Sequence, residues 1–257
     1  GGVGTVMGSK NVKAFVINTV GGGAPPLSDR GTFLKLVRNH NEALKTHDRR
    51  KKMTAYGTTL MTVRMHEMGI FPVKNFQEGG LPGVEKIGAE EFAKMKVGDY
   101  GCYACTTRCG NIFEVKEGKY AGALSEGPEY ETIFSFGGEI ANTDPGAIIA
   151  ADALCDRLGI DTISMGVVAG FVMELFERGI VTSSQLDGLT PTWGDDDVLF
   201  TLINKVAKRE GVGDILAEGT MKAGKIFGKN AEYYAMTAKG MELPGYEPRA
   251  AKVHGLG

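Results

Sequence analysis

"TDPGAIIAADALCDRLGIDTISMGVVAGFVMELFERG", residues 143–179, decides the fold class. Thr143 or Asp144 offers a side-chain oxygen to the unpaired N–H groups of a helix start. Pro145 suits the first helical position, and Gly159 supplies the left-handed residue that ends a helix. Between them Ile148, Ile149, Ala153 and Leu154 recur at helical spacing as an apolar stripe. A second helix follows from about Asp161 to Arg178, and Gly179 stops it.

The same signals recur on both sides. Ser28 or Asp29 opens a helix reaching about Lys45, a second fits Thr54 to Met68, and "GAEEFAKMK" (88–96) gives a short third. Asp195–Arg209 and Asp214–Phe227 complete the series. "NIFEVKEGKYAG" (111–122) reads as a hairpin turning at Glu117-Gly118. "KNVKAFVINT" (10–19) alternates and is rich in β-branched residues, which predicts a strand, and "VGGGAPP" (20–26) is a linker by composition. The final stretch, from Lys239, is turn-rich and reads as entry into another domain. The predicted class is therefore mostly α: a multihelical domain with a short β-hairpin and a short N-terminal strand segment.

Composition bounds the partners. Hydrophobic residues make up 42% and charged residues 23% of the chain, as in ordinary globular proteins. A net charge of -2 gives no general attraction to nucleic acid or an anionic membrane. No apolar run reaches the roughly 18 residues of a membrane span. The chain opens on Gly1-Gly2 without a signal peptide and stops at Gly257 in mid-phrase, so it reads as a piece of a longer, cytoplasmic protein.

"CYACTTRC" (102–109) holds three of the four cysteines. Without a secretory signal, clustered thiols point to metal or redox chemistry before disulfides. Cys102, Cys105 and Cys109 are spaced C-x2-C-x3-C, so one metal centre can be reached from two successive turns. A thioredoxin-like pair leaves Cys109 unexplained. Zinc needs a fourth ligand, and no second C-x2-C follows. A [4Fe–4S] cluster also needs a fourth ligand, which a longer chain can supply. Cys155 lies on the predicted helix and reads as a small buried hydrophobe.

Three other stretches carry polar chemistry. "GGVGTVMGSK" (1–10) fits neither a Walker A loop nor the dinucleotide fingerprint, and is either a tight turn or an anion-approaching backbone. "SEGPEYETIFSFGG" (125–138) sets Glu126, Glu129 and Glu131 among aromatics, so a desolvated carboxylate able to hold a proton competes with three solvated acids. In "CDRLGIDTISMG" (155–166), Asp156 and Asp161 flank a helix break. Carboxylates only accept hydrogen bonds, which suits the N–H edge of a heterocycle; equally, Asp161 is an N-cap and Asp156 a surface residue.

Taken together, "GGVGTVMGSKNVKAF", "CYACTTRC", "GPEYETI", "LCDRLGIDTISMG" and "KGMELPGYEPR", in this order, resemble the tungsten-dependent aldehyde ferredoxin oxidoreductase family. The resemblance spans nearly the whole chain. It implies that residues 1–24 are the tail of an N-terminal pterin-binding domain, 25–235 a helical middle domain, and 236–257 the start of a C-terminal helical domain. Cys102, Cys105 and Cys109 would ligate a [4Fe–4S] cluster whose fourth cysteine lies elsewhere. Asp156, Ile160 and Asp161 match one of two DxxGL-type motifs that hold the paired pterins of a tungsten or molybdenum centre; Ile160 replaces the usual Leu. Gly2 and Gly4 would lie near a pterin phosphate, with Mg2+ bridging such phosphates as a further expected ion. Glu131 matches a glutamate beside the metal, while the surroundings of His254 do not match the family's histidine. The implied activity is oxidation of a small aldehyde to its acid, with electrons passing to ferredoxin, in a homodimer; a chain of this extent alone is expected to be inactive. Two alternatives stand beside it: the tungsten subunit of an aromatic acyl-CoA reductase complex, and a non-catalytic zinc- or cluster-bearing helical module.

Overall fold

A computed structural model describes residues 3–23 and 25–256. The chain runs through α1 (Val3–Ser9), α2 (Arg30–Thr46), α3 (Asp48–Tyr56), a 3-10 turn Gly57–Leu60, α4 (Met61–Glu67) and α5 (Ala89–Met95). An antiparallel sheet follows, in the order β1 (Lys96–Tyr100), β2 (Gly110–Glu114), β3 (Leu124–Ser125). Then come α6 (Tyr130–Phe136), a 3-10 turn Gly138–Ile140, α7 (Pro145–Leu158), α8 (Thr162–Glu177), α9 (Asp196–Lys208), α10 (Val212–Leu216) and α11 (Thr220–Phe227). A two-stranded ladder, β4 (Thr237–Ala238) with β5 (Met241–Glu242), precedes α12 (Lys252–Gly255). The fold is mostly α, with two small sheets, as the sequence predicts.

The helix signals act as expected. Asp144 accepts from the N–H groups of Gly146 and Ala147, and Gly159 closes α7 at φ +70°. Asp161 accepts from Ser164 N–H at 2.9 Å, and Gly179, just past α8, has φ +68°. Met165 to Leu175 are buried without interruption, so α8 is the central core helix. Short α6 lies against it. The approach is close because α8 presents glycine there: a Cβ at Gly166 would strike the Ser135 carbonyl. Phe134 of α6 is buried edge-on against Phe71 and Phe76. No single helix is long and apolar enough to cross a membrane.

Several expectations are corrected. Residues 12–19 form no strand; Phe15, Val16 and Ile17 are exposed, because no described segment pairs with them and strand propensity without a ladder has nothing to stabilise it. The glycine-rich start is α1, neither turn nor loop, with Gly4 inside it and exposed; Gly2 lies outside the described residues. The predicted helix 54–68 breaks at Gly57, whose φ of +62° an ordinary residue resists. The helix 214–227 breaks likewise at Gly219, φ +84°. The hairpin exists, but β2 returns through Leu124-Ser125, two residues beyond the predicted limb. Residues 236–247 fold back onto the core: Glu247 is buried and its N–H donates to the Ile70 carbonyl at 2.8 Å.

One buried group has no partner. Glu139, in the Gly138–Ile140 turn, is fully buried and neither carboxyl oxygen takes part in a hydrogen bond. It faces Gly170 of α8. Burial, reinforced by the nearby Glu174 carboxylate, pushes Glu139 well above the usual carboxylate range. Glu174 is satisfied: Arg178 donates to one oxygen at 2.7 Å and Asn75 to the other at 2.5 Å.

Candidate functional site

The three cysteines sit in the β1–β2 connection. Cys102 and Cys105 are exposed and Cys109 is half-buried. Cys105 N–H donates to the Cys102 carbonyl at 3.0 Å, which folds the loop into a turn. Ala104 and Arg108 adopt positive φ, of 57° and 50°. Backbone N–H groups of Thr107 and Arg108 aim at Cys105 and hold its thiol below the usual range. Helix α3 grips the loop from outside. Arg50 donates through Nε and Nη2 to the Thr106 carbonyl, at 3.1 and 2.6 Å, and Thr54 donates to the Thr107 carbonyl. Among the described residues no three His, Cys, Asp or Glu side chains gather closely enough to hold a metal ion.

The loop's far end leads inward. Cys109's carbonyl lies against Gly57, where a side chain would collide with it. The next residue, Thr58, donates to Glu129 and accepts from Tyr130 N–H at 2.8 Å, fixing the start of α6. Glu131 is the second residue of α6. Its Oε2 accepts from the N–H of Gly245 at 2.8 Å, and the Tyr130 hydroxyl donates to the carbonyl of that same Gly245. Burial raises Glu131 above the usual carboxylate range, partly opposed by the Gly245 N–H and the charge of His254. Tyr246 stacks on Tyr130 at 5.4 Å and His254 on Tyr246 at 4.7 Å between ring centroids. Glu131 is thus a desolvated carboxylate in an aromatic wall, as one of the two readings of that stretch expected.

Asp156 and Asp161 flank the α7–α8 break, both exposed, with Ile160 half-buried between them. Asp161 is an N-cap, so that plain role is real; its position also leaves it facing out beside Asp156. The break is tied to Glu131's helix: the hydroxyls of Thr132 and Thr162 lie 2.9 Å apart. The structure therefore links the cysteine loop, Glu131 and the aspartate pair through neighbouring residues. It leaves Gly4 apart from them, in α1. Cys155 is fully buried, and burial pushes its thiol up to about 12.

Sequence reasoning missed two participants. Asp152 is buried on α7, takes the Ser125 hydroxyl at 2.6 Å, and is pushed up to about 6 by burial, with help from Asp156 and Glu129. Its position four residues after Ile148 and three after Ile149 puts it on the apolar face, a signal present in the sequence. The Gly245 N–H has no sequence signal, because a backbone donor is anonymous.

Comparison with known proteins follows these features. Residues 35–257 match the family described as aldehyde ferredoxin oxidoreductase, domains 2 and 3. The chain is 39% identical over 260 residues to the tungsten-containing aldehyde ferredoxin oxidoreductase of Pyrococcus furiosus, and 38% identical over 264 residues to that of Pyrococcus abyssi. All of this chain is covered in both, and it spans 42% of each relative's length. A chain of the active-site complex BamBC of benzoyl coenzyme A reductase, with 1,5-dienoyl-CoA, shares the fold at TM-score 0.60 and 24% identity; the match covers 76% of this chain and 28% of that one. The cysteine loop, the α6 glutamate and the aspartate-flanked helix break thus occur in a chain that belongs to the aldehyde ferredoxin oxidoreductase family.

Proposed function

We propose that this chain is the helical middle part, with flanking segments, of a tungsten or molybdenum bis-pterin oxidoreductase that oxidises an aldehyde to its carboxylic acid and passes two electrons to ferredoxin. The observation that carries this reading is Glu131: a carboxylate raised by burial, held on one backbone N–H, and seated within neighbouring contacts of both the cysteine loop and the aspartate pair.

The donor chemistry fits the groups the family implies. Asp156 and Asp161 are exposed acceptors beside a helix break, suited to the N–H edge of a pterin. Cys102, Cys105 and Cys109 lie in one exposed turn, and Cys105 is turned toward thiolate by two amide donors, as an iron–sulfur ligand requires. When bound, the pterin-held metal would supply the two-electron oxidation of the carbonyl carbon. This chain's residues do the rest. Glu131 holds or releases the proton that must leave as aldehyde becomes acid, and burial brings its affinity for that proton closer to neutral. Gly245 and Tyr130 fix its orientation. Tyr130, Tyr246 and Phe134 keep bulk water from one side.

The test uses the full protein purified anaerobically. About four irons with one tungsten or molybdenum per chain are expected, and aldehyde-dependent reduction of a dye. Glu131→Gln should lower turnover by about a hundredfold or more with metal content unchanged. Zinc without iron, or full turnover in the Gln variant, overturns the reading.

A further inference from the structure

The cations of this chain are gathered in one stretch. Residues 30–66 hold nine Lys and Arg against two Asp and Glu, in a chain whose net charge is -2. The fold places them around the cysteine loop. Arg50 bridges directly to Thr106, between Cys105 and Cys109. A groove of about 520 Å³ between α2 and that loop is lined by Arg38, Lys45, Arg50 and Thr106. A second, of about 440 Å³ on the next face of α3, is lined by Arg49, Lys52 and Arg64. Within these groups only Lys45 is ion-paired among the described residues, with Glu42 at 2.6 Å. Arg38, Arg49, Lys52 and Arg64 enter no described ion pair, and Arg38, Arg49 and Lys52 are exposed. At the centre of the loop Tyr103 is wholly exposed.

We infer that the basic face of α2, α3 and α4, centred on the cysteine loop, is the docking surface for a small acidic electron-carrier protein. The inference rests on the proposed function, since the loop is where electrons would leave. Clustered unpaired cations beside an exit point raise the encounter rate of an acidic partner and orient it. A protein carrying its own acidic patch fits better than a nucleic acid or membrane, because the chain as a whole repels both. The exposed Tyr103 adds an aromatic contact at the middle of the patch.

The test is a triple charge reversal, Arg38→Glu, Arg49→Glu and Lys52→Glu, in the anaerobic full-length protein. None of the three touches the cysteines. The probe is an acidic bacterial ferredoxin, with binding measured by calorimetry across a salt series. At about 0.1 M salt the parent should bind, and the variant's Kd should rise at least about tenfold. The parent's affinity should fall steeply with salt and the variant's only weakly. Iron content and melting temperature of the variant should match the parent. An unchanged Kd with normal iron content overturns the docking surface and leaves the enzyme reading standing. Absence of iron in the parent overturns both. Binding of duplex DNA or anionic vesicles in place of ferredoxin, lost in the same variant, also overturns the assignment.

Discussion

Replacing Glu139 by Gln should change how stability depends on pH, and the structure fixes the sign. Glu139 is fully buried, without a partner for either oxygen, and near Glu174, whose charge is already satisfied by Arg178 and Asn75. The folded state therefore keeps Glu139 protonated where the unfolded chain, with an ordinary value of 4.5, has released that proton. Between 4.5 and the raised folded value the native state binds one proton more than the unfolded state. Stability then falls as pH rises, by about 1.4 kcal/mol for each pH unit, and levels off above the folded value. Glutamine has nearly the same shape and carries no such proton. The variant should equal or trail the parent near pH 4.5 and gain on it by that slope as pH rises. Urea denaturation of parent and Gln variant at a series of pH values reads the difference directly. Parallel pH profiles for the two proteins would show that Glu139 is charged or solvated in the fold, and the reasoning would fail.

Asp152→Asn should flatten a similar decline at lower pH: the parent loses on the order of 3 kcal/mol between the ordinary 3.8 and the folded value of about 6, and the Asn variant should not. The same denaturation series measures it, and an unchanged acid limb contradicts the assignment. Gly57→Ala forces a side chain into φ +62° and onto the Cys109 carbonyl. It should destabilise by about 2 kcal/mol or more, with faster amide exchange in residues 101–109. A variant as stable as the parent would mean the loop is not seated on that turn.

What the sequence revealed depended on whether the signal was local. Asp144, Pro145, Gly159, Asp161 and Gly179 act within their own turns, so their helices were legible almost to the residue. The breaks at Gly57 and Gly219 were not, because a glycine inside a helical pattern decides nothing until a distant partner appears. At Gly219 that partner is Glu242, which takes the Thr220 N–H at 2.9 Å. Strand β1 contains Gly98 and Asp99 and has weak propensity, yet it pairs with β2; residues 12–19 have strong propensity and pair with nothing described. The site divides the same way. The cysteine spacing and the paired aspartates are patterns along the chain, while Glu131's burial and its amide donor arise only from tertiary packing.

The bond from Gly245 to Glu131 joins residues 114 positions apart. During synthesis at about 5–20 residues per second, Glu131 leaves the ribosome on the order of ten seconds before its donor is made. For that interval α6 and α8 can meet, but the carboxylate has neither its aromatic cover nor its amide. The acid acquires its working proton affinity in a single late event, when "LPGYEP" swings back across α6. A nascent or nicked chain lacking that segment keeps an ordinary, solvated glutamate, so the proton chemistry is withheld until the polypeptide has grown past residue 245.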